Sequence, residues 1–328
     1  MTENKQDKYR NPFTATLTGI QALFTKQVPA GVLLPGDRFD GKTVLVDGSS
    51  SGLGFAIATE VAKRGGKVIM ACRSGIPAKG DLVKKHSGSE DVHMLPVDFS
   101  DIPSIHHLVK EIKEKFNTID VLICNAGIVP KQSRKTPQGL EEMFMVNYLS
   151  KFLFVNLLLD QGCFNSGGKT PPRMVFIASE SHRNPEKFEW DSFGTFRSYT
   201  IGKSVSLYGY YKLLLTTFTV ELSRRLNPKG KTNYSIFALC PGPVNSNIAR
   251  EAPAIFQPLM KLVFAIFFRS PEKAAVPVIY LAASKDVEGK AFDYLFLMGR
   301  KEVDEKAKEP RNGDLLWKLS EELLQKVT

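Results

Sequence analysis

Tyr208 and Lys212 stand four residues apart in the run Tyr208-Gly209-Tyr210-Tyr211-Lys212. On a helix that spacing puts a phenol and an ammonium on one face. A phenol with its ordinary pKa near ~10 is a poor base at neutral pH, and a nearby ammonium favours the phenolate and brings proton exchange closer to working pH. This is the group that hydride chemistry at a carbonyl needs, because the oxygen must gain or lose a proton as the carbon is reduced or oxidised. Tyr210 and Tyr211 lack the same relation to Lys212 and are expected to pack. Ser179 ends the apolar run Arg173–Ala178, which reads as a strand, and ligands in open α/β sheets sit at that C-terminal end. Asn147 follows Met143-Phe144-Met145-Val146. An amide in so apolar a helix must satisfy its hydrogen bonds, either on a helix carbonyl or at a site.

Such side chains need a scaffold, and the stretch Thr43–Gly54 announces one. Thr43-Val44-Leu45-Val46 is a β-favouring run of the kind buried on both faces of a parallel sheet. Gly48, Gly52 and Gly54 then lead into Phe55–Ala62, which has helical spacing and no breaker before Gly65-Gly66. Glycines in that turn let a diphosphate approach the backbone N–H groups at the positive end of the helix. Lys67–Cys72 is the second expected strand, and Arg73-Ser74 follows with no acid in place. An arginine there accommodates a 2′-phosphate where a carboxylate would hold a ribose hydroxyl, so NADP(H) is expected over NAD(H).

Further strands are expected over Val92–Val97, Ile119–Cys124 and Tyr234–Leu239, and an amphipathic helix over Ile102–Phe116 capped by Asp101. Alternating strands and helices predict an α/β fold: a Rossmann-type, doubly wound parallel sheet with helices on both faces, in a single domain. Residues 1–40 read as an N-terminal extension, with Asn11-Pro12 opening an amphipathic helix Phe13–Val28. That helix docks on protein or lies on a membrane surface. Residues 41–328 form the catalytic domain. Arg300–Arg311 reads as a charged loop, and a closing helix follows around Leu315–Leu324.

The chain has 328 residues and a net charge of +10. Its basic residues are spread among acids along the whole length, which argues against a nucleic-acid footprint and suits an anionic cofactor or membrane surface. No run of ~18 or more apolar residues is seen, so no transmembrane span is expected. Cys72, Cys124, Cys163 and Cys240 show no metal spacing and read as buried reduced thiols. A cytoplasmic or peripherally membrane-associated protein follows as the expectation.

The glycine spacing G-x-x-x-G-x-G, the Asn125-Ala126-Gly127 turn after the fourth strand, the serine-ended fifth strand and Y-x-x-x-K occur in one order, with Pro241-Gly242-Pro243-Val244-Asn245-Ser246 beyond them. In these features, over about residues 41 to 300, the chain resembles the short-chain dehydrogenase/reductase family. Its aromatic insertion before Tyr208, the apolar segment Ile255–Phe268 and the ending around Leu315-Leu316-Trp317 look like the retinol dehydrogenase branch. The resemblance implies a catalytic set of Asn147, Ser179, Tyr208 and Lys212. In that set Ser179 holds the substrate oxygen for Tyr208, Lys212 also bonds the nicotinamide ribose, and Asn147 links Lys212 to water.

The same resemblance implies cofactor contacts from Gly48, Ser50, Ser51, Gly52, Leu53 and Gly54, from Arg73, from Asp98 at the adenine, and from Asn125, Ala126 and Gly127. Pro241, Gly242, Val244 and Ser246 complete the set beside Tyr208 and Lys212, with Ser246 meeting the carboxamide. A substrate lid is implied at about 246–270. Asp47 stands where the family usually has Thr, and Cys124 where an Asn is frequent. Asp47 leaves an acceptor for the neighbouring loop and places a negative charge near the phosphates. The function expected is interconversion of a lipophilic carbonyl and its alcohol, with Trp190, Phe193, Phe196 and Ile255–Phe268 as apolar pocket walls and a homodimer as a further possibility. The alternative is a catalytically silent dinucleotide-binding regulatory or scaffold protein.

Overall fold

The structure is a computed structural model and describes residues 28–244 and 269–328. The helix expected over Phe13–Val28, apart from Val28 itself, lies outside the described residues, as do Ser246 and all of the expected lid but its last residues.

The chain builds β1 (Thr43–Asp47), α1 (Gly52–Lys63), β2 (Lys67–Cys72), α2 (Ala78–Ser87), β3 (Val92–Pro96), α3 (Ile102–Phe116) and β4 (Val121–Cys124). After these come α4 (Glu142–Asp160), β5 (Arg173–Ile177), α5 (Ile201–Leu226), β6 (Ser235–Cys240), α6 (Pro271–Ala283), β7 (Phe292–Phe296), β8 (Gly299–Arg300), α7 (Glu305–Lys308) and α8 (Pro310–Val327). One sheet runs in the order β3-β2-β1-β4-β5-β6-β7-β8. Every pairing is parallel except β7 with β8. β1 pairs with both β2 and β4, so the winding reverses there. That reversal opens a crevice beyond the strand ends, where α/β sheets bind their ligands.

Alternation along the strands feeds two cores. Leu45 and Leu122 face a layer with α3, α4, α5 and α8, whereas Val44, Val46, Val121 and Ile123 face a layer with α1 and α6. This is the doubly wound α/β arrangement expected. Phe39, ahead of β1, is fully buried in the second layer. Pro29 bridges to Gly299, and Tyr280 donates to the Ala30 carbonyl at 2.9 Å.

One expectation needs correction. Arg300–Arg311 is not a loop: Asp304 caps α7 through the Lys306 N–H, and Pro310 opens α8. Its charge density hid these start signals. α5 begins at Ile201, so the end of the insertion is already helix. By length and composition alone α4 could cross a bilayer, but it is mostly buried within the fold as a core helix. The four cysteines are free and buried.

Candidate active site

Gly48 and Gly52 adopt φ of 60° and 54°, the left-handed region that favours glycine. A Cβ on Gly54 would lie 2.3 Å from the Gly48 carbonyl oxygen, and one on Gly48 would lie 2.8 Å from the Ala126 Cα. The glycines therefore let the turn fold onto itself and onto the Asn125-Ala126-Gly127 turn. Asn125 Nδ2 seals the contact, donating to the Gly48 and Asp47 carbonyls at 3.1 and 3.2 Å. Ser51, the N-cap of α1, makes no side-chain cap bond, and no acid lies in the first turn. Backbone N–H groups at this helix end are thus left for an anion, and the set fits the diphosphate of a dinucleotide. Ser50 is half-buried at the same turn, while Leu53 anchors α1 in the core.

Arg73, just past β2, is 68% exposed in its side chain and lies 3.8 Å from the Asp98 carboxylate. Asp98 uses its other oxygen to accept from the Ser100 N–H and hydroxyl at 2.8 and 2.7 Å. Pro241, Gly242 and Val244 leave β6 at the same end of the sheet, and Val244 bridges to Arg269.

The catalytic candidates converge on this crevice. Lys212 is buried, and its Nζ donates to the Ile177 carbonyl at 2.7 Å, two residues before Ser179. Nζ lies 5.6 Å from the centroid of the Tyr208 ring. Gly209 lets α5 approach the Ser179 turn, since a Cβ there would meet the Ser181 carbonyl at 2.9 Å. Ser179 caps that turn, with its Oγ 2.9 Å from the Ser181 hydroxyl. Asn147 sits in a π-helical turn, Met145–Leu149, inside α4. Its Oδ1 accepts from the Ile128 N–H at 2.7 Å and its Nδ2 donates to the Ile128 carbonyl at 2.9 Å. The side-chain amide is committed to the end of the Asn125–Ile128 turn.

Electrostatics depart from the expectation in one respect. Burial, followed by Cys240, raises the Tyr208 phenol above its ordinary value, and Ser179 only eases it back. Lys212 does not offset this. Its own pKa is lowered to about 8, first by burial and then by Lys151. The i,i+4 argument placed the two groups together but left out the desolvation each suffers.

A match to the short chain dehydrogenase model covers residues 42–189. Human retinol dehydrogenase 14 is 35% identical over 298 residues, 86% of this chain and 85% of the relative. Human retinol dehydrogenase 13 is 31% identical over 303 residues, 88% and 87% of the two chains. The chain belongs to the short-chain dehydrogenase/reductase family. Within it, the likeness is to the retinol dehydrogenase-like branch. Among solved structures, an uncharacterized protein from Mycobacterium paratuberculosis superposes with a TM-score of 0.66 at 26% identity, covering 90% of this chain and 98% of its own. An oxidoreductase acting between carbonyl and alcohol, with a nicotinamide dinucleotide, is the activity these relatives support.

The expected pocket walls Trp190 and Phe193 are half-buried and pack on neighbouring rings. Phe193 packs edge-on against Phe144 and Tyr148, with ring centroids 5.4 and 6.2 Å apart, and Trp190 stacks on Phe188 at 4.3 Å. Both rings pack against the core layer of α4 and α5. Phe196 instead lies under the Lys135 ammonium at 5.0 Å. Tyr210 and Tyr211 are core residues as expected.

Sequence reasoning missed His182. It is fully buried, Nδ1–H donates to the Ser179 carbonyl at 2.7 Å, and Nε2 accepts from the Asp304 N–H at 3.2 Å. Its signal was faint, a lone His three residues after the serine. Burial lowers its pKa to about 4. The unfolded ring takes up a proton near ~6.5, so the folded state loses stability as pH falls through the window from ~6.5 to about 4. Stability from this group is full above ~6.5, and the total at stake is roughly 3 kcal/mol. Urea unfolding at several pH values in that window should show a smaller acid loss in His182→Gln than in the wild type. Parallel pH curves for the two proteins would refute the assignment.

Proposed function

We propose that the protein is an NADP(H)-dependent oxidoreductase that interconverts a lipophilic aldehyde or ketone with its alcohol. The observation that carries this reading is the gathering of Ser179, Tyr208 and Lys212 at the strand ends beside the glycine turn, with Arg73 exposed at the end of β2. A bound nicotinamide supplies or accepts the hydride. Ser179 holds the substrate oxygen, and Tyr208 gives that oxygen its proton in reduction. A phenol held above its ordinary pKa stays protonated at neutral pH, which suits the reductive direction. Lys212, enclosed and lowered to about 8, is poised to exchange protons near working pH. Asn147 holds the turn that comes closest to Lys212 at Gly127.

The silent-scaffold alternative rested on Asp47 repelling a diphosphate. Its carboxylate is fully buried and bonded to the Asn125 and Ala126 N–H groups and the Lys151 ammonium. A charge compensated in this way weakens the ground for that alternative.

Binding apolar ligand area contributes ~25 cal/mol per Å², and binding energy realised remotely raises kcat/KM. Across a carbonyl series assayed with NADPH, kcat/KM is expected to climb with chain length or ring count, retinoid- or fatty-aldehyde-like compounds leading. Small polar carbonyls outperforming them would overturn the substrate class.

A further inference from the structure

Asp47 and Lys151 form an ion pair inside the protein, Nζ to Oδ2 at 2.8 Å, with side-chain exposures of 0% and 1%. The other Asp47 oxygen, Oδ1, accepts from the Asn125 N–H at 2.6 Å and from the Ala126 N–H. Lys151 Nζ also lies 3.9 Å from the centroid of the Phe99 ring. Every partner of the pair therefore sits on a different element: the end of β1, the turn after β4, α4, and the loop after β3. We infer that Asp47 and Lys151 act as one positioning unit that sets the Asn125-Ala126-Gly127 turn against the cofactor. The inference rests on the dinucleotide reading of the glycine turn.

Charge and geometry make the unit necessary. A carboxylate this deep is costly without a cation, and a lysine this deep is costly without an anion. The two opposite charges compensate one another, and a carboxylate accepts both backbone N–H groups more strongly than a neutral acceptor would. The turn is thus gripped at its start by Asp47 and at its end by Asn147, which holds Ile128. Both Asn147 and Lys151 come from α4, so one helix ties down both grips. Between them, Gly127 is closely packed: a Cβ there would lie a tight 3.2 Å from Asn147 Oδ1 and in ordinary contact, 3.8 Å, with Lys212 Nζ. A displaced turn would move against the glycine turn on one side and against Lys212 on the other. The charged and titratable groups acting on Lys212 are Lys151, Cys240, Asp47 and Cys124, with the Tyr208 ring nearby.

The test compares the full-length wild type with Asp47→Asn, Lys151→Met and the double variant Asp47→Thr/Lys151→Met. NADPH and NADH are titrated by fluorescence, and kcat is followed against pH. Each single variant should weaken NADPH binding by about 10-fold or more, whereas the double, neutral and still offering a hydroxyl acceptor, should bind within about 3-fold of wild type. Removing the cation should move the pH midpoint of kcat upward, and removing the anion should move it downward. A purely structural pair would not give opposite shifts. Singles that bind as wild type does, a folded double no tighter than the weaker single, or midpoints moving the same way would overturn the proposal. Should the singles fail to fold, recovery of folding and NADPH affinity in the double supports it, and a folded double with lost affinity refutes it. A wild type that binds neither nucleotide would instead bring down the dinucleotide reading itself.

Discussion

Tyr208→Phe is expected to lower kcat by about 10³-fold while leaving NADPH affinity within about 3-fold of wild type. The asymmetry follows from where the lost atom sits. Phenylalanine keeps the ring that faces Lys212 and fills the same enclosed space, so the nucleotide site is undisturbed. Only the proton donor to the substrate oxygen is removed. Tyr210 and Tyr211 cannot stand in for it, because Tyr210 accepts from the Glu189 N–H at 3.0 Å and both are core residues. Steady-state kinetics beside a nucleotide titration separates the two effects. Equal losses in kcat and in NADPH affinity would mean that Tyr208 holds the cofactor and does not carry the proton.

Arg73→Ala is expected to cost NADPH binding about 1.5 to 3 kcal/mol, roughly a 10- to 150-fold rise in Kd, with NADH binding little changed. In the structure Arg73 gives up little to meet a 2′-phosphate. Its nearest carboxylate, Asp98, is 3.8 Å away, and the pair is open to solvent, where such contacts contribute little. No acid follows β2 to claim a ribose hydroxyl in its place, since Cys72 leads straight to Arg73 and Ser74. Matching losses for the two nucleotides would remove Arg73 from the phosphate site.

The sheet was legible because its signals are local. Thr43–Val46 and Lys67–Cys72 are β-favouring runs bounded by glycines, and each becomes a strand buried on both faces. The glycine turn and Asn125-Ala126-Gly127 could be read as two motifs, but not as one packed object. Their contact, Gly48 against Ala126, joins residues 78 apart and exists only once β1 and β4 are neighbours.

Lys151 was invisible for the same reason. A lysine in the run Ser150-Lys151-Phe152 reads as a solvated helix charge, and its partner lies 104 residues away. Asp47 drew notice as a departure from a familiar pattern, yet its cation could not be named from the sequence. The packing of the aromatic insertion was likewise beyond the sequence. Trp190 and Phe193 could be read as apolar surface, but their packing on Phe188 and Phe144 could not be. Desolvation is the remaining blind spot, since the Tyr208–Lys212 spacing carries no information on how deeply either group is enclosed.

The central claim is that this crevice passes a hydride between NADPH and a lipophilic carbonyl with Tyr208 supplying the proton. Its most direct measurement mixes the protein with NADPH deuterated at the transferring C4 position and a long-chain or retinoid aldehyde, and weighs the product by mass spectrometry. Deuterium on the carbinol carbon with the wild type, appearing about 10³-fold more slowly with Tyr208→Phe at equal nucleotide occupancy, is the predicted result. Saturating NADPH binding with no label transferred to any carbonyl in the series, or equal transfer by the two proteins, would contradict it.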